Sequence, residues 1–200
     1  MKKRFAVLVT GILMVGMVGL ANAVPLTITN GGFETGDFTG WTFTGTGARN
    51  VTTSDSGYNA TEGNYFANLY ATTLMAQGVS WAAGDTLSFD WNFNSNDYMP
   101  WNDVSIFKAS NAAGDIVNIT LADVKSAGNY NATGWNNYTY TFAAAGSGDL
   151  AFGVYNVGDT ALASQLYVDN IHATPVPAAV WLFGSGLVGL VGLKKRRAKK

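Results

Sequence analysis

The chain has no cysteine, a single histidine and only four prolines in 200 residues. Without thiols there is no disulfide framework, no Cys-ligated zinc and no thiol nucleophile. His172 is the one imidazole, and it stands at the start of the C-terminal linker, where a surface position without chemistry is expected. Neither a nucleophile elbow, a histidine-rich metal motif nor a phosphate-binding loop occurs. The glycine-rich stretch 45–50 lacks a following lysine and helix and reads as a loop. Positive charge is scarce as well. Of 12 Lys and Arg, three lie at positions 2–4 and six at 194–200, which leaves Arg49, Lys108 and Lys125 against all 13 acidic residues. The middle of the chain therefore carries a balance of −10. Such a surface excludes a phosphate backbone, so no nucleic-acid partner is expected. It does offer carboxylate oxygens to Ca2+.

What is present begins at the two ends. Lys2, Lys3 and Arg4 precede an uncharged apolar run, Phe5 to Leu20, and Ala21-Asn22-Ala23 supplies a small-x-small cleavage site. Residues 1–23 read as a secretory signal peptide, cut after Ala23 by signal peptidase. Residues 178–193 form a second apolar run, about 24 Å long as a helix. The hydrocarbon core is roughly 30 Å thick. A transmembrane helix here spans only if the bilayer thins or the basic tail 194–200 snorkels. Those cations hold the end in the cytoplasm and leave residues 24–174 outside the inner membrane as one domain. Gly184, Gly186, Gly189 and Gly192 weaken the helix and suit a transient anchor.

Directly before this run stands Pro175-Val176-Pro177, followed by Ala178-Ala179-Val180-Trp181-Leu182-Phe183-Gly184-Ser185-Gly186-Leu187. A Pro-x-Pro motif, an apolar helix and a basic cluster in this order resemble the PEP-CTERM sorting domain of exopolysaccharide-producing Gram-negative bacteria. Val176 replaces the family's usual glutamate, as in its VPxP variant. The resemblance covers residues 175–200. It implies processing by an exosortase, a membrane-embedded cysteine protease-transferase, with the domain released to or attached at the cell surface.

Between the ends helical periodicity is hard to find, and alternation with period 2 is plain. Leu87, Phe89, Trp91 and Phe93 alternate with Ser88, Asp90, Asn92 and Asn94. Tyr138, Tyr140 and Phe142 alternate with threonines, and Leu150, Phe152, Val154 repeat the pattern, as do Val104, Ile106 and Leu166, Val168. Turn chemistry at 82–85, 112–115, 144–149 and 156–159 separates these runs, and only the neighbourhood of 123–125 suggests a helical turn. The pattern predicts an all-β, antiparallel β-sandwich, jelly-roll-like, with about 150 residues to fill one core.

The stretch "NGGFETGDFTGW", Asn30 to Trp41, resembles the first strand of jelly-roll carbohydrate-binding modules and galactose-binding-like domains. Tyr167-Val168-Asp169-Asn170-Ile171 resembles their closing strand. The resemblance implies that first and last strands pair and bring Glu34 beside Asp169. It also implies a structural Ca2+ held by Glu34, Asp169, a carbonyl near Gly32 and Glu62. Two carboxylates brought together repel unless a proton or cation intervenes. The alternative is that Glu34 bonds the Gly36–Asp37 turn while Asp169 caps a bulge.

Two aromatic segments are candidate ligand sites. Asp97, Tyr98, Trp101, Asn102 and Asp103 surround Pro100, which forbids a central strand and predicts a loop at one end of the sandwich. Tyr130 and Trp135 lie in a second segment, with Asn136 and Asn137. Aromatic faces flanked by Asn and Asp suit sugar rings. Alternatively, Trp101 and Trp135 cap the core edge, or Asp97 and Asp103 hold a second cation. No catalytic residue stands out, because glycoside hydrolysis needs two carboxylates about 5 to 10 Å apart in a cleft and 13 acids make chance pairs inevitable. The expected protein is exported, non-enzymatic, and structural or adhesive at the cell surface or in the exopolysaccharide matrix. A dedicated carbohydrate-binding module is the alternative, and a secreted polysaccharide hydrolase the third.

Overall fold

The computed structural model describes residues 24–176. The signal peptide, the apolar run 178–193, the basic tail and Pro177 fall outside the described residues. In chain order the strands are β1 (Thr42–Gly45), β2 (Arg49–Thr52), β3 (Ser54–Asp55), β4 (Tyr58–Asn59), β5 (Phe66–Tyr70), β6 (Thr73–Trp81), β7 (Thr86–Asn94), β8 (Val104–Asn111) and β9 (Gly114–Asp123). The helix α1 (Val124–Ala127) follows, then β10 (Asn136–Thr141), β11 (Gly146–Tyr155) and β12 (Gln165–Thr174). Two antiparallel five-stranded sheets result, ordered β1-β6-β11-β8-β9 and β10-β7-β12-β5-β2, while β3 and β4 pair with each other. Among the described residues no helix is long and apolar enough to cross a membrane.

The period-2 runs predict which side chains meet between the sheets. Leu87, Phe89 and Phe93 of β7 and Leu150, Phe152 and Val154 of β11 are all fully buried. Phe89 meets Phe152 edge-on at 4.8 Å and Phe107 at 4.8 Å, so facing strands interlock through rings. Burying each such side chain contributes about 1.5–3 kcal/mol. The predicted helical turn is α1, capped by Asp123, whose side chain accepts the Ser126 N–H.

The opening segment departs from expectation. Residues 30–41 form successive turns instead of a strand, and β1 pairs with β6, not with the closing strand. Phe33 sits at a left-handed φ of 57° and is fully buried, its ring against Phe38 and Trp41. One thread of the expected pairing survives: the Ile171 N–H donates to the Gly31 carbonyl at 3.0 Å. A Cβ on Gly31 would overlap the Ile171 carbonyl, so only glycine permits this approach.

The strands run between two ends of the sandwich. At one end Trp81 and Phe142 stack at 4.6 Å beside the 82–85 turn. There Asp85 accepts backbone N–H groups from both Leu26 (2.7 Å) and Val176 (3.0 Å), so both ends of the described chain meet on one carboxylate. At the other end β11 closes at Tyr155 against Val104, and β12 opens at Gln165 against Asn94. The loops 95–103, 124–135 and 156–164 lie there.

Candidate functional site

The loop 95–103 carries the chain from β7 in one sheet to β8 in the other. On it the Tyr98 ring stands 4.8 Å from Trp101, edge to face, and 5.4 Å from Tyr130 of the neighbouring loop. Tyr130 is 62% exposed. Met99, Val157 and Leu162 are also exposed, so four of the six exposed large apolar side chains among the described residues gather at this end. A concentrated apolar surface of this kind marks a place for a ligand or partner.

Two buried carboxylates hold the loop. Asp97 is 2% exposed; its Oδ1 accepts the Tyr98 N–H at 2.8 Å, and its carbonyl accepts the Tyr130 N–H at 2.9 Å. Asp103 is fully buried. Its Oδ1 accepts the Val157 N–H at 2.9 Å, its Oδ2 the Ser164 hydroxyl at 2.7 Å, and its carbonyl the Val124 N–H at 3.0 Å. One residue thus ties loop 95–103 to loop 156–164 and to α1. Burial pushes the Asp103 carboxyl above the ordinary aspartate value; these donors oppose the shift and the Asp97 charge adds to it. Both carboxylates are therefore posts beneath the aromatic rings rather than groups facing solvent.

The remaining candidates divide in the same way. Asn102 serves α1: its Oδ1 accepts the Lys125 N–H at 2.8 Å and its Nδ2 donates to Asp123 at 2.9 Å. Trp101 covers Gly158, where a Cβ would lie 3.0 Å from the indole Cδ1. Trp135 stands apart from the loop-end cluster. Its indole N–H donates to the Asn59 carbonyl at 2.9 Å, and its ring meets Phe66 edge-on at 5.6 Å. It helps the β3–β4 hairpin cover the outer face of the second sheet, where the Tyr167 hydroxyl donates to Asp55 at 2.8 Å and Asn68 donates to the same carboxylate at 3.0 Å. Neither Asp55 nor this network was legible in the sequence, because its members are isolated polar residues on strand positions that normally face water.

Gly32, Glu34 and Asp169 each contact the 61–65 segment that carries Glu62. Glu34 Oε1 accepts the Tyr65 and Asn64 N–H groups, both at 2.9 Å, which holds its carboxyl below the usual range. It does not bond the Gly36–Asp37 turn. A Cβ on Gly63 would overlap the Glu34 carboxylate, and one on Gly32 would overlap Glu62 Oε2, so each glycine makes room for the other segment's acid. Asp169 is fully buried at the β12 bulge. Its Oδ2 accepts the Thr61 N–H (2.7 Å), the Thr61 hydroxyl (3.0 Å) and the Glu62 N–H (3.1 Å), and its Oδ1 accepts the Asn170 N–H (2.7 Å). Burial pushes its carboxyl up and the N–H donors pull it back. Among the described residues no group of three or more His, Asp and Glu is arranged around one point. Glu34 Oε1 and both Asp169 carboxylate oxygens are thus occupied by N–H donors.

No protein-family model matches the chain, and no curated protein matches it. Solved structures do resemble it. TmCBM61, in complex with β-1,4-galactotriose, is 18% identical with a TM-score of 0.50, over 76% of this chain and 100% of that one. Family 16 Carbohydrate Binding Module-2 is 21% identical with a TM-score of 0.45, over 74% and 99%. The enzymatically active domain of bacteriophage CBA120 tailspike protein 4 is 12% identical with a TM-score of 0.49, over 76% of this chain but only 21% of that one. The fold is an all-β antiparallel architecture resembling the β-sandwiches of carbohydrate-binding modules. At these identities the likeness is one of fold.

Proposed function

We propose that residues 24–174 form a non-catalytic binding domain that takes neutral glycan chains at the end built by Tyr98, Trp101 and Tyr130. The observation that carries this is an aromatic cluster, with Tyr130 exposed and Tyr98 and Trp101 half-buried, set beside the buried Asp97 and Asp103. Sugar C–H faces stack on such rings. A balance of −10 disfavours anionic polysaccharides, so a neutral chain is the matching ligand. The likeness in fold to a module solved with β-1,4-galactotriose fits this reading. So does topology: Val176 leaves from the opposite end, about 30 Å away along β7. A chain anchored through residues 178–193 would hold the aromatic end away from the inner membrane. In this reading signal peptidase removes residues 1–23, an exosortase processes the PEP-CTERM-like signal, and the domain works at the cell surface or in the exopolysaccharide matrix.

Tyr130→Ala tests the site, because a side chain this exposed contributes little to folding. The expected result is an unchanged melting temperature and an affinity for neutral polysaccharide weakened about tenfold, the equivalent of about 1.4 kcal/mol. Affinity electrophoresis across a panel of neutral polysaccharides reads this out. Unretarded wild type across the panel, or equal retardation of the variant, removes the glycan site.

A structural Ca2+ held by Glu34, Glu62 and the carbonyl near Gly32, beside Asp169, belongs to the same proposal. Its role would be to neutralise two acids crowded against the 61–65 loop. EDTA is expected to lower the melting temperature by about 5–10 °C, the shift for an ion present at about 100 times its Kd. Glu34→Gln should erase that sensitivity. A melt indifferent to EDTA would take the ion out of the account.

A further inference from the structure

We infer that the sandwich end around Asp85 is a docking site for the chain's own C-terminal segment, with Val176 as its occupant, and that processing therefore cuts beyond Val176 and leaves it in the mature protein. The processing half rests on the sorting reading above; the docking half does not. Asp85 is fully buried. Its Oδ2 accepts the Leu26 N–H (2.7 Å) and the Ala82 N–H (2.9 Å), and its Oδ1 accepts the Val176 N–H (3.0 Å). Its carbonyl accepts the Phe142 N–H at 2.9 Å, which anchors it to the 142–145 turn. Burial alone would raise this carboxyl, yet the three N–H donors outweigh it and hold the group ionised.

Beside the carboxylate Gly84 leaves room for the half-buried Val176 side chain. Gly84 has a φ of +89°, and a Cβ there would lie 2.7 Å from Val176 Cγ2. The site thus reads one backbone N–H and one branched side chain from an extended segment. Pro175 and Pro177 have no N–H, so within Pro-x-Pro only the central residue can donate. The flanking prolines also favour the extended backbone that reaches the carboxylate. A protease that grips its substrate as an added strand needs the main-chain donors around the cut. In the folded domain the donor at 176 is already taken by Asp85 Oδ1, while Leu26 joins the local Ala82 N–H on Oδ2. Up to Val176 the backbone is held, first in β12 and then at Asp85, so we place the cut C-terminal to Val176.

Mass spectrometry of the mature protein, produced from the full chain in a host that processes it, reads the cut. The expected C-terminus is Val176 or a later residue, short of Lys200. A C-terminus at Pro175 or earlier overturns the processing half while leaving the sorting reading intact; a chain still ending at Lys200 overturns the processing half and the sorting reading together. Val176→Pro tests docking separately, since it removes the one N–H and leaves Asp85 its other two donors. Its melting temperature should fall by about 3 °C, and an unchanged melt overturns the docking. Asp85→Asn leaves the motif itself untouched and should add products cut upstream of Val176. A single product identical to that of wild type would overturn the protective role.

Discussion

Replacing Phe152 with alanine lowers the melting temperature of the domain by roughly 10 °C, on a cost of about 3–5 kcal/mol for a buried Phe and about 2–4 °C per kcal/mol at this size. Phe152 lies near the middle of β11 with no exposure, and its ring meets Phe89 at 4.8 Å, Phe107 at 5.4 Å and Trp41 at 6.0 Å. Those partners come from both sheets and from the opening turns, so the cavity left by truncation has walls that cannot collapse together. Phe152→Leu keeps most of the volume and should cost less than about 1.5 kcal/mol. Thermal melts followed by near-ultraviolet circular dichroism decide the matter. A shift below about 3 °C for the alanine variant would mean that the sheets do not depend on this ring.

Asp103→Ala is expected to cost about 2–4 kcal/mol and to abolish glycan retention as well, because it releases two loops at once. Val157 N–H and the Ser164 hydroxyl lose their acceptor inside the protein, and the floor under Trp101 goes with them. The pH dependence has a definite sign. Burial holds the Asp103 carboxyl above its ordinary value of 3.8, so between 3.8 and the raised value the folded protein binds more protons than the unfolded chain. Its contribution to stability is full below 3.8 and declines as pH rises through that window. Asp103→Asn has no such titration, and the stability gap between it and wild type should be wider at pH 4 than at pH 7. Asp85 and Asp123 behave oppositely: their carboxyls are held low, so their contributions are full above 3.8 and vanish as pH falls through the folded values. A gap that widens toward neutral pH would show that burial does not hold the Asp103 carboxyl above its ordinary value.

The alternation of large apolar with polar or small residues in β7, β10 and β11 was readable because a strand's faces repeat every second residue. A core ring such as Phe89 declares itself by that rhythm alone. Pro100 likewise placed Tyr98 and Trp101 on a loop, since proline cannot sit in a central ladder. The opening segment misled for a physical reason: Asn30 and Phe33 adopt left-handed φ angles, which the sequence marks only through nearby glycines. Turns therefore bury Phe33 where a strand was expected. Asp85 was equally opaque. It closes an ordinary "AAGD" turn, the same tetrapeptide that recurs at 112–115, and nothing local distinguishes the two aspartates.

Composition and periodicity by themselves determined that this chain is an acidic, cysteine-free, antiparallel β protein with aromatic loops, because these properties follow from residue type and near-neighbour spacing. Only the tertiary structure decided which polar residues work and which support. Asp97 and Asp103 became buried posts, Trp135 joined another sheet face, and Asp85 gathered Leu26 and Val176. Hydrogen-bond partners 59 and 91 residues away are brought together by the stacking of sheets, a long-range event that no local pattern encodes.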